Sequence, residues 1–183
     1  MPNLAVAVPL ALAALLAAAV VLFVRRASGA LRATRQVERF QEEAAALGRR
    51  LDALLDTTIT QVDAVRRHQV AAPDVIGDLH AVMESLERGF DDAQALDAPA
   101  LQVAHREGIV SEIRHAQRAL DMVLHGCELV AGPRARLRTA ESQIAIKRGY
   151  LNLLHAREAL ADHIDNLAAA RNEAESAWRT FRV

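Results

Sequence analysis

Cysteine occurs once in this 183-residue chain, at Cys127, so no intramolecular disulfide framework can hold the fold. Lysine also occurs once, at Lys147, against 21 arginines. The arginines are not gathered on one face or in one tail, so the imbalance reads as genome composition rather than chemistry. Aromatic residues make up 3% and glycines number eight. That scarcity, beside abundant Ala, Leu, Glu and Arg, favours long helices. Acidic residues are missing from the first 35 positions, which hold four arginines. The remainder carries 18 basic and 23 acidic residues, a balance of -5. A net-acidic body below a basic collar argues against nucleic-acid binding.

One long apolar run is present. Leu4 to Val24 is unbroken and is closed by Arg25 and Arg26. At ~1.5 Å per residue it just crosses a bilayer core of about 30 Å. A cleaved signal peptide would have a charged n-region, a shorter apolar stretch and small residues after it. Here Met1, Pro2 and Asn3 carry no side-chain charge, and Ala17, Ala18 and Ala19 lie in mid-run. A retained anchor is therefore expected, with Pro9 tolerable near its first turns. Arg25, Arg26, Arg32 and Arg35 all follow the run, which predicts an outward N-terminus and a cytoplasmic body. The expected division is a transmembrane anchor over 1–26, a basic juxtamembrane linker over 27–36 and a cytoplasmic helical bundle over 37–183.

The body repeats apolar residues in steps of three and four. A first series runs Val37, Phe40, Ala44, Leu47, Leu51, Leu54, Thr58, Val62 and Val65; a second, Ile76, Leu79, Met83, Leu86, Phe90 and Ala93; a third, Ile109, Ile113, Ala116, Leu120, Val123, Cys127 and Val130. Strands would alternate every second residue, and none of these does. The fourth carries Leu137, Ala140, Ile144, Leu151, Leu154, Ala161, Ile164 and Ala168, interrupted by Lys147 and Arg157. A neighbouring stripe adds Ile146, Leu153, Leu160 and Leu167. Breaks fall at Ala71-Ala72-Pro73-Asp74, at Asp97-Ala98-Pro99 and at Gly132-Pro133, with Asp97 expected as an N-cap and Pro99 near N1. Short connections between long helices predict an all-α fold: one transmembrane helix, then an antiparallel up-down-up-down four-helix bundle. The first bundle helix should continue from the span, loosened at Ser28-Gly29.

Candidate chemistry is sparse. Glu112-x-x-His115 has the ligand spacing of carboxylate-bridged metal bundles, but each residue lies one position off the seam and the step is not repeated. An i,i+3 surface pair is expected instead. His105 is followed by Arg106-Glu107-Gly108, unlike an exposed phosphotransfer histidine, and should be partly buried. His68, His80, His125, His155 and His163 lack metal-ligand spacing. Cys127 falls on the seam and should be a core hydrophobe, not a nucleophile. Arg134, Arg136 and Arg138 form a basic cluster without aromatics, read as a solvated bundle tip or a weak docking patch for an acidic partner. Trp178-Arg179-Thr180-Phe181-Arg182 is an aromatic-basic patch that an even helix count returns towards the anchor. The residues expected at the membrane interface are Arg25, Arg26, Arg32, Arg35, Trp178 and Phe181.

The order of features resembles the LemA family. In the fourth helix Glu141-x-x-Ile144-Ala145-x-x-Arg148-x-x-x-Asn152 is similar to that family's Glu-x-x-Ile-Ala-x-x-Arg-x-x-Tyr-Asn. In the first, Phe40 stands where the family tends to have Trp, and Leu47, Arg49, Arg50 and Asp52 resemble its Leu-x-Arg-Arg-Tyr-Asp. The chain departs at Leu51 and Leu151, each in place of Tyr, and at Ala53-Leu54-Leu55-Asp56 in place of Ile-Pro-Asn-Leu. The resemblance implies a membrane-anchored, non-enzymatic envelope protein. The expectation is a non-catalytic scaffold in the inner (cytoplasmic) membrane, without cofactor or metal, presenting its bundle to a protein partner in a bacterial envelope process. The alternative is an accessory single-span subunit of a larger membrane complex, its Ala-rich span packed on others. Self-association as a homo-oligomer is compatible with either.

Overall fold

The computed structural model describes the backbone of residues 4–132 and 135–180, and the side chains of 33–132 and 137–169. Over the described residues the chain forms four α-helices and no strand: α1 (Leu4–Arg66), α2 (Ala72–Ala95), α3 (Val103–Ala131) and α4 (Ala135–Thr180). α1 runs without a break through Ser28-Gly29, where the sequence predicts loosening. Among the described residues no helix is long and apolar enough to cross a membrane. The expected span, Leu4–Val24, lies outside the residues whose side chains are described.

Each helix packs against its neighbours in sequence, and α4 closes the ring against α1. On the α1–α4 side Gly48 faces Ile164, Asp52 holds Arg157 and Arg66 stacks over Tyr150 at 5.1 Å. Higher numbers on one helix meet lower numbers on the other, so the pair is antiparallel. The same holds for Gly126 with Ile146 and Gly108 with His163 between α3 and α4, and for Gln61 with Asp78 and Arg50 with Asp92 between α1 and α2. These relations make the four-helix, up-down-up-down ring expected from the periodicity.

Local chemistry explains the ends. α1 stops in a Schellman motif: the Gln69 amide donates to the Ala64 carbonyl and the His68 amide to Val65, both at 2.9 Å. His68 takes the left-handed position, φ 59°, that glycine usually fills. α2 begins with Pro73 in its first turn, where a missing N–H costs nothing. Asp97 does not cap α3. A 3-10 turn, Ala100–Gln102, intervenes, and the Asp97 carboxylate instead accepts from Gln36 at 3.5 Å. Pro99 opens that turn rather than α3 itself.

The three expected seams supply most of the core, with Leu54, Ile76, Met83 and Phe90 only partly buried against it and Leu55, Ile59 and Val75 buried beside them. Phe40, Ala44, Leu47, Leu51, Val62 and Val65 are buried in α1; Leu79, Leu86 and Ala93 in α2; Ile109, Ile113, Ala116, Leu120, Val123 and Cys127 in α3. Thr58 fits the apolar seam because its hydroxyl donates to the Leu54 carbonyl at 2.7 Å, leaving its buried oxygen partnered. α4 departs from expectation. Its core residues are Ile146, Leu153, Leu160 and Leu167, the neighbouring stripe of the sequence, while Leu137, Ile144 and Leu151 face outward.

Small residues cause that rotation. A Cβ on Gly149 would stand 2.7 Å from the Ala119 carbonyl oxygen and 3.1 Å from the Val123 nitrogen. One on Gly126 would stand 3.0 Å from the Ser142 carbonyl oxygen. Here the neighbours are backbone and cannot swing aside. Ser142 is buried at the same contact and donates its hydroxyl to the Gly126 carbonyl at 2.6 Å. α4 must therefore turn Ser142, Gly149 and Ala156 towards α3, and its apolar residues on the opposite side follow outward.

One substitution should consequently have opposite signs at two helical glycines. At Gly77 in α2 an added Cβ would meet nothing within 4 Å, so Gly77→Ala should stabilise by about 0.5–1 kcal/mol through helix propensity alone. Gly149→Ala should destabilise by roughly 1–3 kcal/mol as overpacking outweighs the same gain. Urea unfolding of the two variants measures both. A stabilised Gly149→Ala would refute the close α3–α4 approach.

Candidate functional site

The sequence-derived site residues fall into three groups. Arg25, Arg26, Arg32, Trp178 and Phe181 lie outside the residues whose side chains are described, and Arg35 is exposed. Glu141, Ile144, Arg148 and Asn152 stand in steps of three and four and share the outer face of α4; Ala145 is half-buried beside them. Glu141 holds Arg138 by an exposed ion pair at 3.0 Å, and the Asn152 amide lies 3.8 Å from the Met122 sulfur on α3. The structure thus brings this motif together on one surface rather than in the core.

The possible reactive groups occupy structural positions. Glu112 and His115 are bonded at 3.0 Å as a surface pair. They line an open groove of about 560 Å³ between α3 and α4, with Arg118, Met122, Asn152 and His155. Among the described residues no set of three His, Cys, Asp or Glu could hold a metal ion. His105 is half-buried, as expected, and the half-buried ring of His163 fills the space above Gly108. Cys127 is fully buried, and burial with nearby Glu128 pushes its thiol up to about 11. A protonated, enclosed thiol is a poor nucleophile.

An arginine held by two carboxylates ties α4 to α1. Arg157 donates from Nε to Asp52 at 2.7 Å and from Nη1 to Asp56 at 2.6 Å, and the two carboxylates raise its guanidinium pKa. That accounts for an arginine interrupting the stripe: it lies at the helix–helix border with water on one side. Beside it a second groove, about 490 Å³, is lined by Asp52, Leu151, Leu154, His155 and Glu158.

What sequence reasoning missed is the outer ridge of α4. Leu137 is 86%, Ile144 54% and Leu151 43% exposed, and Met122 on α3 adds a further 36% exposed apolar side chain near Asn152. Leu151 stands beside Asn152 on the crest between the two grooves. The signal was present in Ser142, Gly149 and Ala156, which mark α4's tightly packed side. No protein-family model, curated protein or solved structure matches the chain.

Cys127 gives a pH test of the core. The unfolded thiol ionises near 9.0 and the folded one near 11, so the folded state holds the extra proton in between. Stability should be full below pH 9 and fall as pH rises towards 11, by on the order of 2 kcal/mol. Cys127→Ala should cost about 1 kcal/mol at pH 8 and remove most of that fall. With one Lys and one Tyr in the chain, few other side chains titrate there. Urea unfolding at pH 8 and pH 10.5 makes the comparison; equal losses in both proteins would mean that the thiol ionises when folded.

Proposed function

We propose that the chain is a non-catalytic, membrane-anchored helical scaffold whose cytoplasmic bundle is presented to a protein partner in a bacterial envelope process. The observation that carries this reading is the continuity of α1, Leu4–Arg66, which joins the apolar run of the sequence to a helix of the bundle core. A rigid helical connection between an anchor and a packed domain suits a protein that holds a surface at a set distance from the bilayer. The bundle's interior is filled mostly by apolar side chains, and its grooves are open and lie between exposed helix faces.

The register of α1 against α4 supports the orientation. Continued at the same pace, the end of α4 comes level with about residue 32 of α1. In this reading Trp178 and Phe181 belong to the same end of the molecule as Arg25, Arg26, Arg32 and Arg35, at the inner-membrane surface, with the α1–α2 and α3–α4 connections furthest from it. The resemblance to LemA proteins points the same way. Accessory-subunit function in a larger complex is the second reading, favoured by Ala17, Ala18 and Ala19 in the span.

Protease added to intact spheroplasts should leave the bundle uncut, and lysis should expose it. The readout is a blot with antibody to the bundle. Digestion from outside would overturn the topology, because the four arginines on one side would then not be retained inside.

A further inference from the structure

The outer ridge of α4 is an apolar surface with an unusual composition of neighbours. Leu137, Ile144 and Leu151 recur every seven residues on the face opposite Leu153 and Leu160 of the core, and span about 21 Å at the helical rise. Seven-residue spacing on a straight helix is the pattern that a second helix covers. At its Leu151 end the crest is widened by Leu154 on the α1 side and by Met122, near Asn152, on the α3 side.

Charge sets the partner's sign. Lys147 and Arg148 are exposed beside Ile144, and Arg138 shares the segment with its ion-pair acceptor Glu141. Below Leu151 the same ridge turns acidic at Glu158 and Asp162, both exposed. An acidic helix is therefore attracted to the apolar segment and repelled from the remainder, which fixes where it sits.

Other occupants fit less well. The N-terminal part of α1 leaves the bundle at the opposite end from Leu137. A second copy held in the same membrane would stand the same way up. Parallel pairing through Ile144 then sets Lys147, three residues further on, against Lys147 of the second copy. Antiparallel pairing would set Glu141 against Lys147 of the second copy, but needs anchors pointing opposite ways. A lipid surface would meet a ridge one side chain wide, without an aromatic residue between Leu137 and Leu151 except the half-buried Tyr150.

We propose that Leu137, Ile144 and Leu151, flanked by Lys147 and Arg148, form the docking site for an acidic amphipathic helix of a partner protein. This rests on the scaffold reading above and names the chemistry of the partner that reading requires.

The test uses the full chain in detergent micelles and two labelled synthetic peptides of about three heptads. One carries leucine at the a and d positions and glutamate at e and g; its twin carries lysine in place of glutamate. Fluorescence anisotropy should show the acidic peptide binding at least tenfold more tightly. The double variant Ile144→Glu, Leu151→Glu should lose at least tenfold of that affinity, and Lys147→Glu with Arg148→Glu should reverse the preference between the twins. These side chains are exposed, so circular dichroism should be unchanged. Equal binding of the twins, or variants that bind as wild type does, would overturn the proposal. Dimers in sedimentation that Ile144→Glu dissolves would overturn it in favour of a second copy. Binding to phosphatidylglycerol vesicles that the ridge variants abolish, with no preference between peptides, would overturn it in favour of a lipid surface. If the bundle is cut from outside spheroplasts while the charge preference persists, the topology reading fails and the docking site stands.

Discussion

The backbone-to-backbone contact between α3 and α4 governs the arrangement of the bundle. Gly126 and Gly149 lie where any side chain would strike the main chain of the facing helix, and the Ser142 hydroxyl bonds to the Gly126 carbonyl at their meeting. Close approach gains dispersion contacts along both helices, and it also fixes how α4 is turned about its own axis. Once that rotation is set, Ile146, Leu153, Leu160 and Leu167 point into the core and Arg157 arrives beside Asp52 and Asp56. Arg66 over Tyr150 lies at the α1–α4 border that this rotation sets, while Arg114 over Phe90, at 4.7 Å, closes the α2–α3 border.

Most of the fold was legible in the chain because α1, α2 and α3 each carry one dominant apolar stripe, and burial follows the larger stripe. Leu120 and Ile113 could hardly face water without breaking that rule. α4 carries two stripes of comparable size, so counting apolar residues does not choose between them. The choice rests on volume rather than hydrophobicity: the side bearing Gly149, Ser142 and Ala156 can approach another helix and the side bearing Ile144 cannot. Asp97 and Pro99 mislead for a related reason. Their pattern is that of a helix start, but a single 3-10 turn uses the same residue preferences before α3 begins.

The surface was less legible than the core. Glu112 and His115 pair as their spacing predicts, since i,i+3 neighbours meet on any helix. The groove they border joins residues on α3 and α4 that no local pattern connects, such as Met122 with Asn152. Ile144 illustrates the difficulty most clearly. Its sequence context reads as core, its exposure makes it part of a ridge, and only the glycine contact on the far side of the helix separates the two.

Lys147 is the chain's one lysine, and it stands exposed on that ridge. Apart from an α-amino group, the molecule therefore offers a single primary amine to acylating chemistry. Any modification that neutralises amines would strip one positive charge from the apolar crest of α4 and leave all 21 guanidinium groups, neighbouring Arg148 included, untouched.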